Sequence, residues 1–174
     1  MPRATDSFFI RATTDINNDN KYQESSIDLG AYVDALGKSV LRIHNIVVTM
    51  SDSTGRTSLV DSEAAAQFQL LTQSQAADIG SATGGIVLPS NRFVVSSGRL
   101  CVDGAGGVPT YVSTDFDNLP QEWTNGYLVA VDALYLGGCA STGFAGDVYC
   151  SVIMECTVET LSQSAAMALA LSQQ

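Results

Sequence analysis

The last third of the chain carries the clearest alternation of apolar and polar positions. Val148, Cys150, Val152, Met154, Cys156 and Val158 fall on one face; Tyr149, Ser151, Ile153, Glu155, Thr157 and Glu159 fall on the other. Period two sustained over residues 148–161 predicts a long strand with one buried and one mostly wet face. Residues 41–51 (LRIHNIVVTMS) predict a second strand, rich in branched side chains. Phe8, Phe9 and Ile10 open a strand expected near 7–14. Shorter strands are expected at 57–60 and 66–72, the second of which also fits a helix. Ile27, Leu29, Tyr32, Val33 and Leu36 give a mixed pattern, a short helix or an irregular strand ended by Gly37. Residues 92–95 and 99–102 read as the arms of a hairpin around Ser96-Ser97-Gly98. Residues 127–136 (YLVAVDALYL) read as one strand, with a glycine-rich loop after it at 137–146.

Turn chemistry separates these runs. Residues 15–24, rich in Asn and Asp, read as a loop, 52–55 as a turn, and 74–85 as a long loop. Gly104–Gly107 and the segment around Pro109 and Pro120 read as a wandering connection. The tail then changes character. Residues 164–171 (SAAMALAL) are strong helix formers, with Ser162 or Ser164 as a cap. Seven or eight strands with long loops and no alternation of strands with helices predict an all-β fold. The expected architecture is a jelly-roll-like antiparallel β-sandwich over 1–161, with a short C-terminal helical tail over 162–174.

A helix so short is marginal alone and must dock. It is apolar nearly all round, so burial on more than one side is expected. Either it folds onto its own sheet, or it is an arm for a neighbouring subunit or a membrane. Met167, Leu169 and Leu171 are the candidate interface residues.

Composition narrows the function. The chain has 174 residues, 45% of them hydrophobic and only 15% charged, enough for one domain with a real core. Ala, Ser, Thr and Gly are abundant, and Lys21 and Lys38 are the only lysines. Such short side chains lose little entropy against a neighbouring subunit; biased genome composition reads the same way. The net charge of −10 and the scattered arginines argue against direct contact with nucleic acid or an anionic membrane surface. The N-terminal residues show no apolar signal region, and no stretch is long enough to span a bilayer. Synthesis in a cytoplasm is expected, and hence free, buried cysteines at Cys101, Cys139, Cys150 and Cys156.

Candidate chemistry is sparse. His44 is the lone histidine and is expected on the less buried face beside Arg42. No nucleophile motif accompanies it. Gly104-Ala105-Gly106-Gly107 is followed by Val108-Pro109 rather than by a helix start with Lys and Ser or Thr, so it is no phosphate loop. No cofactor is expected. Asp115, Asp117 and Glu122 cluster near Trp123, which suits a sugar site or a solvated loop anchored by the tryptophan. Asp15, Asn17 and Asp19 match positions 1, 3 and 5 of a calcium loop. The match fails at Asn20, where glycine is needed, and at Ser26, where a bidentate glutamate is needed.

The size, the strand-and-loop rhythm, and residues 41–51 and 127–171 with their small-residue tail together resemble single jelly-roll viral coat proteins. The likeness is to coats of icosahedral viruses of archaea or bacteria, particularly those with an internal membrane. That resemblance implies a structural virion protein, a capsid-lattice subunit acting by self-assembly, made in the host cytoplasm. It implies copies of itself and other shell proteins as partners, with membrane contact through the tail left open. The basic genome-binding arm of simple RNA-virus coats is missing, which suits a shell lying over a membrane or another protein layer. The alternative is a ligand-binding β-sandwich module for carbohydrate or calcium, without catalysis.

Overall fold

A computed structural model describes residues 6–34, 36, 38–79, 85–103, 110–112 and 123–174. Nine strands are present among them: β1 (Phe8–Asp15), β2 (Gln23–Asp28), β3 (Ser39–Ser51), β4 (Ala64–Leu71), β5 (Val94–Asp103), β6 (Thr110–Val112), β7 (Tyr127–Val129), β8 (Ala133–Ala140) and β9 (Tyr149–Thr160). A one-turn helix α1 (Ala76–Ile79) follows β4, and helix α2 (Gln163–Ser172) follows β9. One sheet has the order β1-β9-β3-β7 and the other β2-β8-β4-β5-β6.

The pairing explains the order. β1 pairs with β9, β2 with β8, β3 with β7 and β4 with β5, all antiparallel. The chain is therefore one long ladder doubled back at β4–β5 and wound so that successive rungs fall in alternate sheets. This is the jelly roll. β6 adds a short edge strand beside β5.

The core lies between the sheets. On β9, Cys150, Val152, Met154 and Cys156 are all fully buried, as the alternation requires. Leu41, Ile43, Ile46 and Val48 of β3 meet them from the same sheet, and Phe68, Leu70, Leu134 and Leu136 face them from the other. Each such side chain contributes roughly 1.5–3 kcal/mol by leaving water. β3 carries one irregularity. Ile43 stands opposite Cys156 and Asn45 opposite Glu155, so His44 is an extra residue, a β-bulge.

Several sequence expectations are corrected. Residues 57–60 form no strand, only a bridge between Val60 and Phe144. Residues 92–102 are not a hairpin. β5 runs straight through Gly98, which stands opposite Phe68 of β4. The run 127–136 is two strands in different sheets, β7 and β8, with residues 130–132 crossing between them. Its apolar continuity is real because Val129, Ala130, Val131, Leu134 and Leu136 are all buried, although Asp132 of the crossing is exposed. Gly137 and Gly138 are not loop residues but lie inside β8. A Cβ on Gly137 would sit 2.2 Å from the Tyr22 hydroxyl, and one on Gly138 would sit 2.2 Å from the Gln67 carbonyl oxygen. These glycines serve close approach, which sequence reading mistook for turn chemistry. Cys101 is exposed, whereas the other three cysteines are buried; all four are free. Gly37, Gly104–Gly107, Pro109, Asp115, Asp117, Pro120 and Glu122 lie outside the described residues.

Helix α2 starts where a cap was expected. The Ser162 Oγ accepts from the Ala165 N–H at 3.3 Å. The helix turns back onto the outer face of the four-stranded sheet. There Ala166 and Ala170 pack with Val40 and Ala130, flanked by Leu128, Leu161 and Leu169. The buried Gln173 fastens the end. It accepts from the Ala130 N–H at 2.9 Å and donates to the Leu128 carbonyl at 2.7 Å.

Gly138→Ala is expected to cost about 2–4 kcal/mol, since a backbone oxygen occupies the space of the new methyl group. Gly146→Ala, whose Cβ meets nothing within 4 Å, serves as the near-neutral control in the same urea titration. Burial pushes the thiols of Cys150 and Cys156 up to about 12. A maleimide at neutral pH should therefore label Cys101 alone in the folded protein and all four cysteines after denaturation, as counted by mass spectrometry.

Candidate functional site: the outer face of the four-stranded sheet

Alternation places a second row of side chains on the outer face of this sheet. β1 contributes Phe9, Arg11 and Thr13; β9 contributes Ser151, Ile153 and Glu155; β3 contributes Asn45, Val47 and Thr49 beyond the bulge. The register sets Ile153 between Arg11 and Val47, and Glu155 between Phe9 and Asn45. Phe9 is 53% exposed, Val47 50% and Ile153 36%. Three large apolar side chains on adjacent strands thus share one open face. The Arg11 guanidinium lies 5.3 Å from the centroid of the Phe9 ring, a cation–π distance that keeps the charge over the patch edge.

At the other end of the face the bulge shapes a cleft of about 390 Å³ lined by Arg42, His44, Trp123, Thr124, Asn125, Gly126 and Glu159. Arg42 grips Glu159 through two nitrogens, with Nη2 to Oε2 at 2.7 Å. Its third contact is the Asn125 carbonyl. The Arg42 guanidinium holds the Glu159 carboxyl below the ordinary carboxylate range, and Glu159 pushes Arg42 up in turn. The charge of Arg42 is therefore spent inside the protein. His44 Nε2 lies 2.9 Å from Thr157 Oγ1, so the lone histidine fastens the bulge to β9. Gly126 has φ of 71° and passes so close to β3 that a Cβ would sit 2.6 Å from the Ile43 oxygen. Trp123 packs on the core, its ring 5.5 Å from that of Tyr127. Its Nε1 is buried without a partner among the described residues. Among the described residues the cleft thus holds a closed ion pair, a histidine bonded to Thr157 and a tryptophan packed on the core.

The other sequence candidates fall elsewhere. Asp15, Asn17 and Asp19 sit at the turn after β1. The Asp15 Oδ1 accepts from the Asn17 N–H at 2.9 Å, and the Asp19 Oδ1 from the Lys21 N–H at 3.1 Å. Asn17 and Asn20 take positive φ of 53° and 59°, which asparagine tolerates. Both aspartates thus commit a carboxylate oxygen to the backbone turn. No group of three or more His, Cys, Asp or Glu side chains is gathered among the described residues. On α2, Leu169 packs inward on the small cluster, whereas Met167 and Leu171 stand out, 42% and 70% exposed. Sequence reading missed Phe9, Val47 and Ile153 as a group. The signal was present: three bulky apolar residues on the otherwise polar face of the alternation.

Glu159→Gln should lower stability by at most about 1 kcal/mol near neutral pH. A carboxyl depressed by folding stabilises above its unfolded value of about 4.3, and that stabilisation disappears as pH falls through the lower folded value. The melting-temperature gap between wild type and variant should therefore close below pH 4.

No protein-family model matches the chain, and no curated protein matches it in sequence. Solved structures do. VP1 of Trichodysplasia spinulosa-associated polyomavirus, solved in complex with sialylated precision glycooligomers, is 11% identical. It superposes with a TM-score of 0.51 over 89% of this chain and 95% of that one. Merkel cell polyomavirus VP1, solved as an unassembled pentamer, is 7% identical with a TM-score of 0.44 over 92% and 98% of the two chains. At such identities the likeness is one of fold: this chain shares the jelly roll of a polyomavirus capsid protein.

Proposed function

We propose that this protein is a structural subunit of a virion shell and acts by self-assembly. The observation that carries the reading is the topology. The doubled-back ladder belongs to a fold that superposes on a polyomavirus capsid protein over 89% of the chain. Fold alone does not specify function, so the surface must agree with it, and it does. The described residues offer three exposed apolar side chains on the outer face and an uncharged helix, while Arg42 and Glu159 in the cleft are paired off. The partners are copies of the same chain, with other shell proteins as neighbours, and the site of action is the virion. A net charge of −10 favours a position away from naked genome. The resemblance of residues 41–51 and 127–171 to coats of viruses of archaea or bacteria is the basis for the finer host reading. Helix α2, through Met167 and Leu171, is one contact surface.

Purified protein should form symmetric oligomers or closed shells visible by negative-stain electron microscopy. A single monomeric species by light scattering, at high concentration and across salt and pH, would overturn the reading.

A further inference from the structure

We propose that helix α2 of one copy seats on the outer face of β1, β9 and β3 of a second copy, covering Phe9, Val47 and Ile153. This deepens the self-assembly reading and rests on it.

Three observations choose the occupant. The first is charge. The outer row of β1, β9 and β3 holds Arg11 and Arg42 against Asp15, Glu155 and Glu159: two cations, three carboxylates, a net −1 out of the chain's −10. Nearly all the acidic surplus lies elsewhere. A basic partner has little net field to meet here, since Arg42 is bound to Glu159, and Arg11 lies over the Phe9 ring with Glu155 on the neighbouring strand. The face suits an occupant without charge.

The second is chemistry. Helix α2, Gln-Ser-Ala-Ala-Met-Ala-Leu-Ala-Leu-Ser, has no charged residue in its length. Its inner side is used on its own sheet through Ala166 and Ala170, yet Met167 and Leu171, four residues apart, remain outside. The sheet face and the helix flank are thus two apolar surfaces without surplus charge on one molecule. Each leaves water most favourably against the other.

The third is size. Ten helical residues span about 15 Å, and three strands about 14 Å, so one helix crosses the patch. The patch over the length of β1 is only roughly 400 Å², half of the ~800 Å² a partner usually contributes. A contact that used this patch alone would be small. Using a different surface on each copy makes the contact head-to-tail, so every copy joins two neighbours and buries both surfaces. Contacts of that kind close into rings or extend into lattices.

The test uses the full chain and three variants. Ile153→Lys on the face and Met167→Glu on the helix should each give monomers in light scattering, with the wild-type circular dichroism and melting temperature. The double variant Ile153→Lys/Met167→Glu places lysine opposite glutamate at every contact and should recover oligomers. Leu59→Lys, at a loop position 76% exposed and away from the face, should assemble like wild type. Val47→Lys repeats the face arm if Ile153→Lys melts early. A wild type that stays monomeric sinks the self-assembly reading itself. A wild type that assembles while both face variants do too sinks only this inference. Monomeric face variants with Met167→Glu unaffected would mean that sheet meets sheet, and α2 is not the occupant. Liposome flotation of wild type, abolished in Met167→Glu with assembly intact, would give the helix to lipid and overturn the proposal equally.

Discussion

The pairing of β3 with β9 fixes where every other strand can lie. β9 alternates without a break and buries Cys150, Val152, Met154 and Cys156 on one side. β3 must present apolar side chains to the same side, yet its sequence changes phase: Leu41 and Ile43 are followed by Ile46 and Val48. A ladder without insertion would turn the last two outward, at roughly 1.5–3 kcal/mol each. The extra residue at His44 absorbs the phase change, and its imidazole bonds Thr157 across the kink. The bulge then determines the outer face. Before it, Val40 and Arg42 point outward, one seating α2 and the other clamping Glu159 and the turn before β7. After it, Asn45, Val47 and Thr49 do.

What could be read from the sequence was whatever depended on local period and local turn chemistry. The limits of β3 and β9 came within two residues because one face of each is buried and the other is not. The Asp52 turn was legible because one carboxylate oxygen collects the N–H groups of Thr54 and Arg56, with Gly55 at φ of 80°. Ser162 was legible as a cap for the same reason. Failures came where a distant residue decides. Gly137 reads as a loop until Tyr22 lies over it, and Gly98 reads as a turn until β4 runs alongside. Residues 127–136 read as one strand because hydrophobicity reports burial, not which sheet does the burying. The phase change at His44 was present in the sequence, and only the rigid alternation of β9 gives it meaning.

The candidate site was half legible. His44 beside Arg42 on the wetter face was read correctly, whereas of Met167, Leu169 and Leu171 only the first and last are exposed, Leu169 packing inward. The partner of Arg42 was not legible, because Glu159 lies 117 residues away. The consequence for function is direct. An arginine in a cleft with a histidine and a tryptophan suggests anion or sugar binding until its fork is seen closed on a carboxylate. With that charge neutralised and the histidine holding a bulge, the side chains of the cleft are explained by the architecture. The cysteines lead the same way, since the most deeply buried thiols resist ionisation and are poor nucleophiles or ligands.

The two faces of the sheet therefore answer to different demands. The inner row is fixed by the core, where the removal of a methylene is felt. The outer row contributes little to folding, and polar residues such as Thr13, Ser151 and Thr49 satisfy it equally well. Folding does not ask for phenylalanine, valine and isoleucine there. Single exposed apolar residues are ordinary, but three on adjacent strands, with the charge kept elsewhere, mark a surface shaped by something outside the chain. At a net charge of −10, two copies repel wherever their acidic surfaces approach within about a Debye length, some 8–10 Å. Attraction must then come from where net charge is low and apolar side chains are exposed, and the sheet face and α2 both meet that description. The distribution of charge, more than the fold, is what supports the proposed contact between them.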